Sequence, residues 1–183
     1  QIREQVFDRT LAELARRGIR YQGVLYAGLM MTAAGPRVLE FNCRFGDPET
    51  QALLPRLASP LLPALEACVD GTLEERHVAW RSDCCVSVVL ASRGYPDAYP
   101  RGLPIDGLEE AARDEGVLLF HAGTALQAGR VVTSGGRVLA VSALGAGLPA
   151  AAARAYAAVD RIRFEGRQVR RDIAARALRR GAS

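Results

Sequence analysis

Residues 21–57 read YQGVLYAGLMMTAAGPRVLEFNCRFGDPETQALLPRL, and the fold turns on how they divide. Residues 21–32 are mostly apolar and predict a strand buried on both faces. Ala33 to Pro36 make a turn, and RVLEFNC at 37–43 makes a second strand, so the pair is a hairpin. FGDPE is then a loop, and Pro48 sets up a helix from Glu49 to Leu57. Alternate side chains of a strand share a face. Glu40, Asn42 and Arg44 therefore point one way, and Leu39, Phe41 and Cys43 point the other, into a core.

Outward from this stretch the signals alternate in kind. Ile2, Val6, Leu11 and Leu14 give residues 2–17 a helical pattern that stops at Gly18. Ser59 and Pro60 open a helix to Val69, ended by Asp70-Gly71. Residues 72–82 are polar and hold Trp80, expected to pack the joint between two substructures. Beyond them CCVSVVLAS reads as a strand, Gly94-Tyr95-Pro96 as a breaker, and 96–114 as a long excursion. Strands follow at 117–123, 130–134 and 137–145, with Gly135-Gly136 as a hairpin turn between the last two. An alanine-rich helix at 148–162 precedes an arginine-rich one at 172–179. In that last segment Val169, Ile173, Ala177 and Leu178 predict docking rather than RNA binding. Strand runs with helices beside them give an α+β class, with a boundary expected between residues 75 and 76.

All 24 basic residues are arginine. Without lysine the chain has no P-loop lysine and no Schiff base. The arginines are scattered, which excludes a nucleic-acid arm. No apolar run approaches the roughly 18 residues that span a bilayer. Cys43, Cys68, Cys84 and Cys85 lack a CxxC spacing and predict buried free thiols in a reducing, cytoplasmic setting. His77 reads as exposed, and His121 either as a site residue or as a hydrogen-bonded structural one.

The chemistry gathers in LEFNCR at 39–44. Glu40 and Asn42 offer hard oxygen ligands of the kind Mg²⁺ takes. Arg44 beside them can grip a phosphate or carboxylate in a bidentate fork. An exposed strand face with a Glu40–Arg44 ion pair is the alternative from spacing alone. Asp47 and Glu49, at the mouth of the next helix, can cap it or hold an amine or hydroxyls.

The stretch YQGVLYAGLMMT with RVLEFNCRFGDPETQALLPRL resembles the phosphoribosylamine–glycine ligase (glycinamide ribonucleotide synthetase) family of ATP-grasp enzymes. GYP, FHAGT, TSGGRVLAVSALG and RRDIAARAL extend the likeness in order over nearly the whole chain. The resemblance implies the C-terminal part of an ATP-grasp core, 1–75, followed by a small mixed β-rich domain, 76–183. It implies ligation of glycine to 5-phosphoribosylamine through a glycyl phosphate, with ATP split to ADP and phosphate, in purine biosynthesis. Glu40 and Asn42 then match metal positions for Mg²⁺ or Mn²⁺. Arg44 is the candidate for holding the glycine carboxylate or the transferred phosphoryl. Asp47 and Glu49 are candidates for ordering the loop or contacting the amine. Met30 and Leu39 line an adenine slot or else pack a core. Some ATP-grasp relatives carry a further acidic ligand upstream, but Tyr26-Ala27-Gly28-Leu29 offers none, so water and ATP oxygens would complete the coordination. Cys43 is expected to pack. The ATP lid and phosphate-gripping basic residues are expected in a missing N-terminal portion, so the chain is not expected to act alone. Another ATP-grasp carboxylate–amine ligase, or a non-catalytic binding module, is the alternative; no membrane partner is implied, and monomer and dimer stay open.

Overall fold

The computed structural model describes residues 1–181. The helices are α1 (Arg9–Arg16), α2 (Thr50–Leu53), α3 (Leu61–Asp70), α4 (Leu108–Ala112), α5 (Leu148–Arg161) and α6 (Ala175–Gly181). The strands are β1 (Tyr26–Thr32), β2 (Gly35–Asn42), β3 (Cys84–Ala91), β4 (Val117–His121), β5 (Thr124–Gln127), β6 (Arg130–Thr133), β7 (Arg137–Gly145) and β8 (Gln168–Val169). Every pairing is antiparallel, in an α+β architecture. Among the described residues no helix is long and apolar enough to cross a membrane. The chain divides into two units, Gln1–Gly46 with Ala58–Ala79, and Asp47–Leu57 with Trp80 onward.

In the first unit a π-helical turn, Arg3–Asp8, runs into α1, which ends before Gly18 at φ +71°. Strands β1 and β2 form a two-stranded sheet closed by a tight turn, where Thr32 Oγ1 donates to the Gly35 carbonyl at 2.8 Å. Gly71, at φ +74°, terminates α3 as a left-handed cap. Only Val6, Ala64 and Ala67 are buried hydrophobics among the described residues of this unit. This corrects two expectations. β1 begins at Tyr26 rather than at 21, and it is not buried on both faces, because Met30 and Met31 are 51% and 59% exposed. Nor do Leu39, Phe41 and Cys43 enter a core. Leu39 is 66% exposed, Phe41 41%, and Cys43 is exposed. A two-stranded ribbon buries little by itself.

The second unit has a layered core. Its sheet runs β4-β7-β3-β8. Val86, Val88 and Leu90 of β3 stand opposite Ala143, Val141 and Leu139 of β7, so all six share one face. Helix α5 covers that face with Ala151, Ala155, Ala158 and Val159, all essentially without exposure. Alanines let the helix lie close to the sheet, and Gly145 lets β7 end against the backbone of Ala150 and Ala151. On the other face Ser142 Oγ donates to Ser87 Oγ at 2.9 Å, and the segment carrying α2 packs against β3 and β7. Tyr156 holds the arginine-rich tail. Its hydroxyl donates to the Arg170 carbonyl at 2.9 Å and accepts from Ile173 N at 3.0 Å, and Leu178 packs against the core as the docking pattern predicts.

The Gly135-Gly136 hairpin is a further correction. β6 pairs with β5, not with β7, and the two glycines carry the chain from one sheet to another. β5 escaped the sequence reading. Its turn to β6 is Ala128-Gly129, with φ +47° and +76°, the doubly left-handed geometry that fits strand twist. Gly135 is required because its Cα lies directly against Gly123, where no Cβ would fit.

Candidate functional site

In the first unit β2 presents the oxygens. Glu40 pairs across the ribbon with Gly28, and Asn42 with Tyr26. Since Leu29 pairs with Val38, Leu39 is the extra residue of a β-bulge, which re-phases the side chains around it. The Glu40 side chain lies over Gly28. A Cβ there would stand 3.1 Å from Glu40 Cγ and 3.7 Å from Oε1. Asn42 Nδ2 donates to Glu40 Oε1 at 3.1 Å. That bond turns the amide so that its oxygen stays available as an acceptor and leaves the second carboxylate oxygen unused by it. An exposed carboxylate beside an amide oxygen fits a hard divalent cation. Among the described residues no three His, Cys, Asp or Glu side chains cluster as a metal site, so a cation here would draw two oxygens from these side chains.

Arg44 follows β2 and is exposed, its Nη1 donating to the Phe45 carbonyl at 2.9 Å. No ion pair joins it to Glu40 among the described residues. Met30 and Leu39 present exposed apolar surface rather than core packing. Cys43 lies against Tyr21, and the hydrogen bond between them, with burial, raises the Tyr21 hydroxyl above its ordinary range. All four cysteines are free, as expected, but none is fully buried.

Asp47 and Glu49 belong to the second unit. Asp47 precedes a cis peptide to Pro48, and Glu49 caps α2, its carbonyl accepting from Ala52 N at 3.0 Å and Leu53 N at 2.9 Å. Asp47 is heavily held. Gln51 Nε2 donates to Oδ1 at 3.0 Å, Arg137 Nη2 to Oδ2 at 3.1 Å, and Arg137 Nη1 to the Asp47 carbonyl at 2.9 Å. Sequence reading missed Arg137, whose only signal was its place directly after the Gly135-Gly136 pair. His121 contacts Thr124 Oγ1 through Nδ1 at 3.0 Å at the open end of β4. His77 is half-buried rather than exposed, and its Nδ1 accepts from Glu74 N at 2.9 Å to close a short 3₁₀ turn. Trp80 is 48% exposed, and its backbone bridges to Leu57.

The structure therefore joins Glu40 to Asn42 and, separately, Asp47 to Gln51 and Arg137. Met30, Leu39 and Arg44 take no part in those bonds.

Comparison with known proteins gives these groups a family. The phosphoribosylamine–glycine ligase of Synechocystis is 52% identical over 180 residues, 97% of this chain and 43% of that protein. The trifunctional purine biosynthetic protein adenosine-3 of Gallus gallus is 50% identical over 179 residues, 97% of this chain and 18% of its own length. The crystal structure of phosphoribosylamine–glycine ligase from Thermotoga maritima superposes with a TM-score of 0.80 at 39% identity. It covers 93% of this chain and 42% of that one. The chain thus spans less than half the length of the ligases it matches. The phosphoribosylglycinamide synthetase ATP-grasp (A) domain matches residues 1–50, which carry β1, β2 and the Glu40–Asn42 pair. With the C domain of the same synthetase matched over residues 85–176, the chain belongs to the phosphoribosylglycinamide synthetase family.

Proposed function

We propose that this chain works as part of a longer ATP-grasp ligase that joins glycine to 5-phosphoribosylamine and splits ATP to ADP and phosphate. Residues 1–75 form its ATP-grasp portion and 76–183 its C-terminal domain. The observation that carries this reading is the Asn42–Glu40 hydrogen bond on β2, which sets an amide and a carboxylate side by side on one strand. In this reading Glu40 and Asn42 hold Mg²⁺ or Mn²⁺, which when bound neutralises charge on ATP phosphates. Arg44, exposed just beyond them, takes the glycine carboxylate or the transferred phosphoryl in its planar fork. The activated glycine is a glycyl phosphate, and the phosphoribosylamine nitrogen attacks its carbonyl carbon as phosphate leaves. Met30 and Leu39 offer apolar surface for the adenine ring. Asp47 and Glu49 belong to the amine side, Asp47 ordering its loop. The setting is the cytoplasm, and the remaining portion of the ligase supplies the other ATP contacts.

The test is ADP release by the full-length protein carrying this chain, with each substrate omitted in turn. Release that requires both glycine and 5-phosphoribosylamine is expected. Release driven by a different carboxylate–amine pair would reassign the chemistry within the ATP-grasp enzymes. Glycine- and amine-dependent release by residues 1–183 alone would overturn the dependence on the rest of the ligase.

A further inference from the structure

Arg137 has a mounting more elaborate than a surface arginine needs. Leu90 pairs with Leu139, but Ala91 pairs with Arg137, so Val138 is an extra residue in β7. Without that bulge Arg137 would share the α5 face with Leu139. With it, Arg137 shares the face of Ala91, where the α2 segment packs. Three loops fix the turn before it. The Ser92 backbone N–H donates to the Gly136 carbonyl at 2.8 Å, and Ser92 Oγ to the Gly135 carbonyl at 2.9 Å. Tyr95 of the GYP segment lies directly over Gly136, leaving no room for a Cβ. Gly123 of FHAGT donates to the Arg137 carbonyl at 2.8 Å and accepts from Ser134 N at 2.7 Å. So GYP, FHAGT and TSGG, which the metal pair does not use, converge on one arginine.

What that arginine does is grip Asp47 at two points, the carboxylate and the main-chain carbonyl. An exposed ion pair between two long side chains holds little, because either can swing. Here the second bond goes to the backbone of the FGDPE loop, so the grip fixes the loop itself. Gln51 takes the other carboxylate oxygen and closes the set.

We propose that Arg137 is a positioning residue: mounted by the C-domain loops, it holds the FGDPE loop in the shape the amine substrate meets. The proposal rests on the ligase reading above, in which that loop serves the amine side.

The test uses the full-length protein carrying Arg137→Ala, Arg137→Lys, Asp47→Asn, and Arg137→Ala with Asp47→Asn. Arg137→Ala is expected to lower kcat/KM for the amine by about 10- to 100-fold, with the ATP KM unchanged, since small misplacements at a reacting centre cost that much. Arg137→Lys keeps a charge for the carboxylate but loses the fork, and should recover part of the loss. The double variant should be no worse than the poorer single one. Hydrogen exchange at residues 45–50 should quicken in Arg137→Ala while β7 stays protected. Unchanged amine kinetics, an equal rise in ATP KM, or fully additive effects would overturn the proposal. So would unchanged loop exchange, and that readout decides the matter even if the wild-type protein ligates some other pair of substrates.

Discussion

Gly28 lies beneath the Glu40 side chain, and its replacement by alanine separates stability from activity. Its φ lies outside the left-handed region, so alanine meets no backbone strain. The new methyl would stand 3.1 Å from Glu40 Cγ, against an ordinary contact of 3.4–4 Å, so the Glu40 side chain must retreat by a few tenths of an ångström. Removing a strand glycine should raise stability by about 0.5–1 kcal/mol. A ligand shift of that size, set against a tolerance of about 0.5 Å for a working site, should cost about three- to tenfold in turnover. The Mg²⁺ concentration for half-maximal rate should rise as well, because the displaced group is the proposed ligand. The assay is ADP release over a Mg²⁺ titration in the full-length protein, with thermal unfolding alongside. A variant that unfolds no earlier yet keeps wild-type turnover and Mg²⁺ dependence would refute the placement of Glu40 in the site.

Arg44→Lys should lose about tenfold or more in kcat/KM for glycine, since a lysine cannot supply two parallel bonds to a carboxylate; unaltered glycine kinetics remove Arg44 from that role. Burial raises the Cys85 thiol, so it should be the slowest of the four cysteines to alkylate and exposed Cys43 the fastest, as mass spectrometry of a timed labelling reads out. Arg171 holds the Asp160 carboxyl below its usual range. A depressed carboxylate contributes stability that is fully present above its unfolded value of about 3.9 and is lost as pH falls through the lower folded one. Acid should therefore loosen the tail around α6 only below about pH 4, and Asp160→Asn should weaken that dependence in hydrogen exchange of the tail, leaving the part that Asp172 beside Arg170 contributes.

Much of this architecture was legible because its cause is local. The β1–β2 ribbon follows from two apolar runs around a tight turn, and α5 from an alanine-rich stretch behind Gly147 and Pro149. What sequence could not give is set by partners distant along the chain. Gly135-Gly136 has the composition of a hairpin turn, yet Gly123 and Tyr95 press on it and turn it into a crossing between sheets. Strict alternation sent Leu39 and Phe41 into a core, but the strand carries a bulge at Leu39 and both side chains are exposed. Glu40 and Asn42 were readable as a pair because two residues apart on a strand is a contact distance. Arg137 was not, because it reaches Asp47 across 90 residues of chain and only through the Val138 bulge.

In the proposed ligase, Glu40 and Asn42 are the cation's ligands from this chain. Glu40→Gln with Asn42→Ala, made together in the full-length protein, tests it most directly through Mg²⁺-dependent ADP release in the presence of glycine and 5-phosphoribosylamine. Glu40 is exposed and Asn42 half-buried on a two-stranded ribbon, so folding should be largely preserved. Turnover should collapse, and added Mg²⁺ or Mn²⁺ should not restore it to the wild-type rate. Wild-type turnover with an unshifted Mg²⁺ dependence in the folded double variant would contradict it.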